Sequence, residues 1–275
     1  MACAVHAGKV SKSTVSGNPS HPSAPMSGTL QLRMRIIIGI SGALLLLAAP
    51  AARADRRSFI RAYEVATQPK GNLEFELWND IYAPKAGFDL AATEHRFELE
   101  YGLTDRWDLA LYHVLGQAPG ERLHFDSWRM ETRYRLAEKD EWPVDVMLYF
   151  EVERPALFAE PWETEEKVIL EKDFGRVGLV ANLVTEQKFL HLNQGHLYEI
   201  DLGARYEFVP ALRVGVEAWT IQKTEAGVTR GSWFAGPSIS LATAKIWIQL
   251  GAGLGLGIGD GDATAQVRSV LGFNL

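Results

Sequence analysis

The chain has 275 residues, 47% hydrophobic and 23% charged, enough for one large domain or two small ones with an ample core. A formal net charge of -6, with no stripe rich in Lys and Arg, argues against a nucleic-acid partner. Cys3 is the only cysteine, so the chain beyond it has no disulfide, no thiolate metal site and no cysteine nucleophile.

Residues 1–33 are rich in Ser, Gly, Pro, Ala and His and show no periodicity, as in a disordered leader or a start assigned upstream of the true one at Met34. Arg33 and Arg35 precede an apolar run over residues 36–47, and Ala52-Arg53-Ala54 follows it. A basic stretch, a short apolar stretch and an A-x-A site predict a cleavable signal peptide over residues 34–54, cut before Asp55. The run falls short of the roughly 20 residues of a membrane helix, which leaves an uncleaved anchor as the alternative. No cysteine follows it, which rules out lipoprotein processing. Residues 55–70 carry no strand pattern and are expected to form a periplasmic N-terminal segment.

From residue 71 to the end, the helical period is nowhere sustained and alternation with period 2 recurs. Strands are predicted near 71–78, 95–102, 107–114, 128–136, 144–153, 165–174, 177–186, 197–208, 212–220, 232–242, 244–254 and 266–275. In the eighth, Tyr198, Ile200, Leu202, Ala204, Tyr206 and Phe208 share one face, and Glu199, Asp201, Gly203, Arg205 and Glu207 the other. About twelve strands of roughly 8–12 residues fit an all-β, antiparallel, up-and-down transmembrane β-barrel over residues 71–275.

Alternation alone also fits a soluble barrel or sandwich with its apolar face inward. Three features favour the membrane. Connections alternate between short ones (103–106, 137–143, 175–176, 209–211 and 243) and long ones (near 79–94, 115–124, 154–164, 187–196, 221–231 and 255–264), as in outer-membrane barrels with short periplasmic turns and longer external loops. The charged face is too rich in both signs for an ordinary solvated surface and suits a polar lumen. Tyr101, Trp107, Tyr134, Phe174, Tyr206, Phe208 and Phe273 collect beside the short turns as one interfacial girdle.

The last residues, Val270-Leu271-Gly272-Phe273-Asn274-Leu275, resemble the assembly signal of outer-membrane barrels, although Leu replaces the usual terminal Phe. Glu100-Tyr101-Gly102-Leu103-Thr104-Asp105-Arg106-Trp107 resembles the strand-turn-strand of porin-like families, among them uncharacterised outer-membrane proteins linked to aromatic-degradation operons. The resemblance is architectural and implies no substrate. It implies as partners outer-membrane lipid and lipopolysaccharide, and the barrel-assembly machinery through the last strand.

Parity points Glu98, Glu100, Arg129, Glu131, Arg133, Glu151, Glu153, Glu171, Glu199, Asp201, Arg205, Glu207, Glu217 and Arg268 into the lumen. These charges either set the selectivity of a narrow pore, with an acidic excess favouring cations, or interlock as a plug. Trp78, Tyr112, Tyr149, Trp219 and Trp247 share that parity, where they either stack on passing solutes or fill space and stack on Arg. His95, His113, His124 and His196 point outward at the external rim, which favours contact with lipopolysaccharide over a metal site; His191 falls in a loop. His124-Phe125-Asp126-Ser127 puts the serine on the wrong face for a hydrolase dyad. Trp78-Asn79-Asp80 resembles the Asn-Asp pair of lipid A deacylase barrels, without the rest of that pattern. Gly251, Gly253, Gly255 and Gly257 share the inward face, where they either relieve crowding or let a loop fold inward; the stretch is no calcium nonapeptide repeat, and Asp260 and Asp262 fit a flexible external loop better than a calcium site at the cell surface.

The expected protein is therefore an outer-membrane channel, porin-like and narrow, for small polar solutes, with no cofactor, no metal and no catalytic residue assigned. A non-conducting structural or complex-partner barrel and an outer-membrane lipid-modifying hydrolase are the alternatives.

Overall fold

The computed structural model describes residues 56–275 apart from 86, 158, 189–194, 226 and 258–262. The leader, the signal peptide, His191 and the Asp260/Asp262 pair lie outside the described residues.

Twelve antiparallel strands close into one barrel, β1 pairing with both β2 and β12. They are β1 (Leu73–Ala83), β2 (Ala92–Thr104), β3 (Trp107–Gln117), β4 (His124–Arg135), β5 (Asp145–Pro155), β6 (Glu163–Phe174), β7 (Val177–Lys188), β8 (His196–Val209), β9 (Leu212–Glu225), β10 (Val228–Ala242), β11 (Ile246–Gly257) and β12 (Ala265–Asn274). A short 3-10 turn, Phe88–Leu90, interrupts the β1–β2 connection.

The barrel is inside out relative to a soluble one. In β8, Glu199 and Asp201 are 3% and 2% exposed, whereas Ile200 and Leu202 are 45% and 54% exposed. The same inversion recurs in β2, where Glu98 and Glu100 are buried and Phe97 and Leu99 exposed. Water would not leave such an apolar band uncovered; a hydrocarbon layer around the wall makes it the favourable arrangement.

One end of the barrel carries tight turns. Phe174 pairs directly with Val177, leaving Gly175-Arg176 as a two-residue hairpin in which Gly175 adopts φ 65, the left-handed region that favours glycine. At the other end the strands run further than their alternation shows. β1 continues to Ala83, and β9 and β10 remain paired up to Glu225 and Val228, so the long connection expected near 221–231 is mostly strand. Beyond the apolar band both faces of a strand meet polar surroundings, and Thr220, Gln222, Thr224 and Thr229 lose the period-2 signal while the backbone ladder persists.

Candidate functional site: a lumen occupied by the chain's own N-terminal segment

The largest departure from expectation lies before β1. Residues 56–68, expected outside the barrel in the periplasm, run inside it: Arg56, Arg57, Ser58, Phe59, Ile60, Ala62, Tyr63, Val65 and Gln68 are all buried. The segment enters at the turn end, where the Arg56 guanidinium donates to the Pro210 carbonyl at 2.6 Å. It climbs to Arg61, which pairs through two guanidinium nitrogens with Glu199, ten residues above the turn end of β8. It then descends past Asn182 and Glu171 to Asp108, the second residue of β3. Both limbs leave by the same mouth, so the segment is a loop inserted from the turn end.

Its backbone and its side chains both hold it. Glu217 accepts the N–H groups of Ile60 (2.7 Å), Arg61 (2.8 Å) and Ala62 (3.2 Å). Asn182 accepts from the Tyr63 N–H at 2.6 Å and donates to the Tyr63 carbonyl at 3.0 Å. Glu171 accepts from Val65 at 2.6 Å and Asp108 from Gln68 at 2.9 Å. A buried segment without regular structure must find partners for its N–H groups, and here wall side chains supply them. Charge supports the fit. The segment's three arginines outnumber its one glutamate, Glu64, which receives the Arg205 guanidinium at 2.6 Å.

Shape supports it too. A β-carbon on Gly203 would lie 2.8 Å from the Phe59 ring, and one on Gly251 would overlap Ile60. Gly251 is expected to relieve crowding or admit a loop, and what occupies the space is this segment. Gly102 lies so close to the Pro69 carbonyl, where the loop leaves, that no β-carbon fits. Tyr63 and Val65 pack with Met147, Tyr149 and Ile169, and Ile60 with Trp219 and Phe234. Replacing Gly203 with valine is therefore expected to unseat Phe59, while Val180 on the neighbouring strand, which a β-carbon there meets at the same 2.8 Å, turns aside. Limited proteolysis in detergent micelles would show cleavage within residues 56–68 rising at least tenfold over wild type.

The wall charges interlock in several clusters. Arg133 is held by Glu100, Asp108 (2.8 Å) and Glu131 (3.3 Å), all nearly inaccessible. Asp80 bridges Arg96 (2.7 Å) and Arg268, and the guanidiniums of Arg57, Arg96 and Arg268 gather round the Trp78 ring at 4.4, 4.2 and 5.1 Å. Lys167 lies 4.1 Å from the Tyr63 ring and 4.4 Å from the Tyr149 ring, and pairs with Glu165 at 2.9 Å. Above the inserted loop, Arg129, Glu151, Glu153, Glu163, Glu165 and Glu186 line a polar cavity of about 220 Å³. At the turn end, Lys139 reaches Asp173 at 2.7 Å and Glu171 at 3.4 Å. Burial alone lowers its ammonium, but these two carboxylates outweigh that and raise it above its ordinary value.

All fourteen charged residues assigned to the lumen by parity lie on the inner face. Glu207 sits at the mouth, bonded to Arg213 at 2.9 Å. The five aromatics are buried there as well. Tyr112 donates to Glu131, Tyr149 to Glu151, Trp78 to Glu98 and Trp247 to Glu74. Trp219 stacks on Phe234 at 5.2 Å. Asp80, which the alternation leaves in the connection after β1, lies within that strand and is a lumen residue. Outside, His113 stacks on Phe125 and meets Trp128 edge-on, and His95 bonds to Asn79 at 2.9 Å. Ser127 is buried on the inner face, whereas His124 and Asp126 lie 3.9 Å apart at the rim, so these three do not form a dyad with its orienting group. Among the described residues, no group of three or more His, Asp or Glu side chains is placed to hold a metal.

No family model matches the chain. No curated protein matches it either. Solved structures do. An outer-membrane channel from Pseudomonas putida F1 superposes with TM-score 0.57 at 16% identity, over 79% of this chain and 100% of that one. The fold is that of the outer-membrane porins. The NanC porin aligns with TM-score 0.54 and 11% identity over 74% of this chain and 100% of its own, and the KdgM porin with 0.50 and 10% over 74% and 99%. At these identities the porin-like likeness concerns architecture, a closed twelve-stranded antiparallel barrel.

Proposed function

We propose that this protein is an outer-membrane channel for small polar solutes whose periplasmic half is closed by residues 56–68 and opens when that loop withdraws. The observation that carries the reading is the loop itself, a non-covalent insert seated by hydrogen bonds and ion pairs that a movement can break. Withdrawal removes three arginines and unmasks Glu171, Glu199 and Glu217, so the open lumen is net acidic and favours cations. In this reading residues 34–54 direct export, the turn end faces the periplasm, and β12 is read by the assembly machinery. His95 and His113 meet lipopolysaccharide headgroups at the outer rim, where the apolar band ends.

Planar-bilayer recording of the purified protein tests this. The expected record is a mostly closed barrel with brief cation-preferring openings, prolonged by Gly203→Val. Silence from both proteins would contradict it and favour a second reading, a permanently closed structural barrel. The tightly interlocked Arg133 network is the observation on that side.

A further inference from the structure

We propose that the luminal wall of β6–β9 is a binding site for a bent peptide segment bearing an aromatic residue and, two positions on, a basic one, a site the chain's own segment fills. The recognition is directed at backbone and charge. Glu217 takes three consecutive N–H groups, and Asn182 takes one N–H and returns its amide to the same residue's carbonyl. A main chain bent as this one is at Ile60 and Arg61 turns three successive N–H groups to one side, whatever its side chains. Two side-chain requirements are added: room for a ring beside Gly203, and a carboxylate, Glu199, for a guanidinium. The ligand class is thus a short, cationic peptide that bends at its basic residue and arrives at the turn end, and residues 56–68 act as its intramolecular competitor.

This inference rests on the loop leaving the lumen, but its test does not require conduction. A fluorescent synthetic peptide of residues 56–66 would be titrated against full-length protein in micelles, with binding read by anisotropy. The resident segment competes at an effective concentration in the millimolar range, so wild type is expected to bind weakly. Arg61→Ala, which weakens the resident segment and leaves the wall intact, is expected to bind at least tenfold more tightly. A second variant guards against misfolding. A β-carbon on Gly251 would overlap Cγ2 of Ile60, which puts the β-carbons of residues 60 and 251 within about 4 Å, the span of a disulfide. Ile60→Cys/Gly251→Cys should lose peptide binding on oxidation and regain it on reduction. A peptide N-methylated at the positions of Ile60, Arg61 and Ala62 should bind at least tenfold less well. Equal binding to oxidised and reduced tether, equal binding of the methylated peptide, or no binding to either variant would overturn the site. Peptide binding by a barrel that never conducts would leave the site standing and refute only the channel.

Discussion

Replacing Glu217 with alanine is expected to turn a mostly closed barrel into a mostly open one. One carboxylate serves three successive N–H groups at the apex of the inserted loop. Hydrogen bonds to a charged partner contribute about 1.5–3 kcal/mol each, and their sharing of one acceptor makes the total less than additive. A loss on the order of 3 kcal/mol shifts the docked-to-undocked ratio about a hundredfold. Bilayer recordings should show the open fraction rising by one to two decades, with no change in unitary conductance. Alanine also removes one luminal carboxylate, so cation preference should fall slightly while opening increases. An unchanged open fraction would mean that Glu217 does not hold the loop.

The second large effect concerns the barrel rather than the loop. Arg133 is the shared cation of Glu100, Asp108 and Glu131, and its side chain is 2% exposed. Arg133→Ala leaves these carboxylates without it in a site that water barely reaches. Removing one member of such a buried cluster costs about 3–5 kcal/mol. The heat-induced mobility shift of the barrel on a gel should therefore move to clearly lower temperature. Arg106→Ala supplies the comparison. Its partner Glu138 is 3.5 Å away and both side chains are exposed, so stability should change by less than about 1 kcal/mol and the mobility shift should stay close to the wild-type temperature.

The wall was legible because lipid on one side and charge on the other force a two-residue alternation, as in β8 from Tyr198 to Phe208. The same parity places Glu199, Asp201 and Arg205 inside without any knowledge of their partners. The inserted loop was not legible for a physical reason. Many of its contacts are made by main-chain groups, which every residue possesses, and its side-chain partners lie far away in sequence, so neither a period nor a motif marks residues 56–68. Two signals point toward it. Arg56, Arg57 and Arg61 form a basic cluster facing rows of inward acids, and Gly203 and Gly251 leave hollows in the wall that side chains would otherwise fill. The upper ends of β1, β9 and β10 escaped notice because both strand faces are polar once the lipid band ends.

The central claim is that residues 56–68 are a movable stopper, and the Ile60→Cys/Gly251→Cys pair tests it most directly. The sequence beyond Cys3 contains no other cysteine, so the two new thiols would pair with each other. In a planar bilayer the oxidised protein should be silent, and adding a reductant to the periplasmic side should restore cation-preferring openings within the same recording. Equal conductance before and after reduction would contradict the account, because ions would then be passing a loop that cannot move.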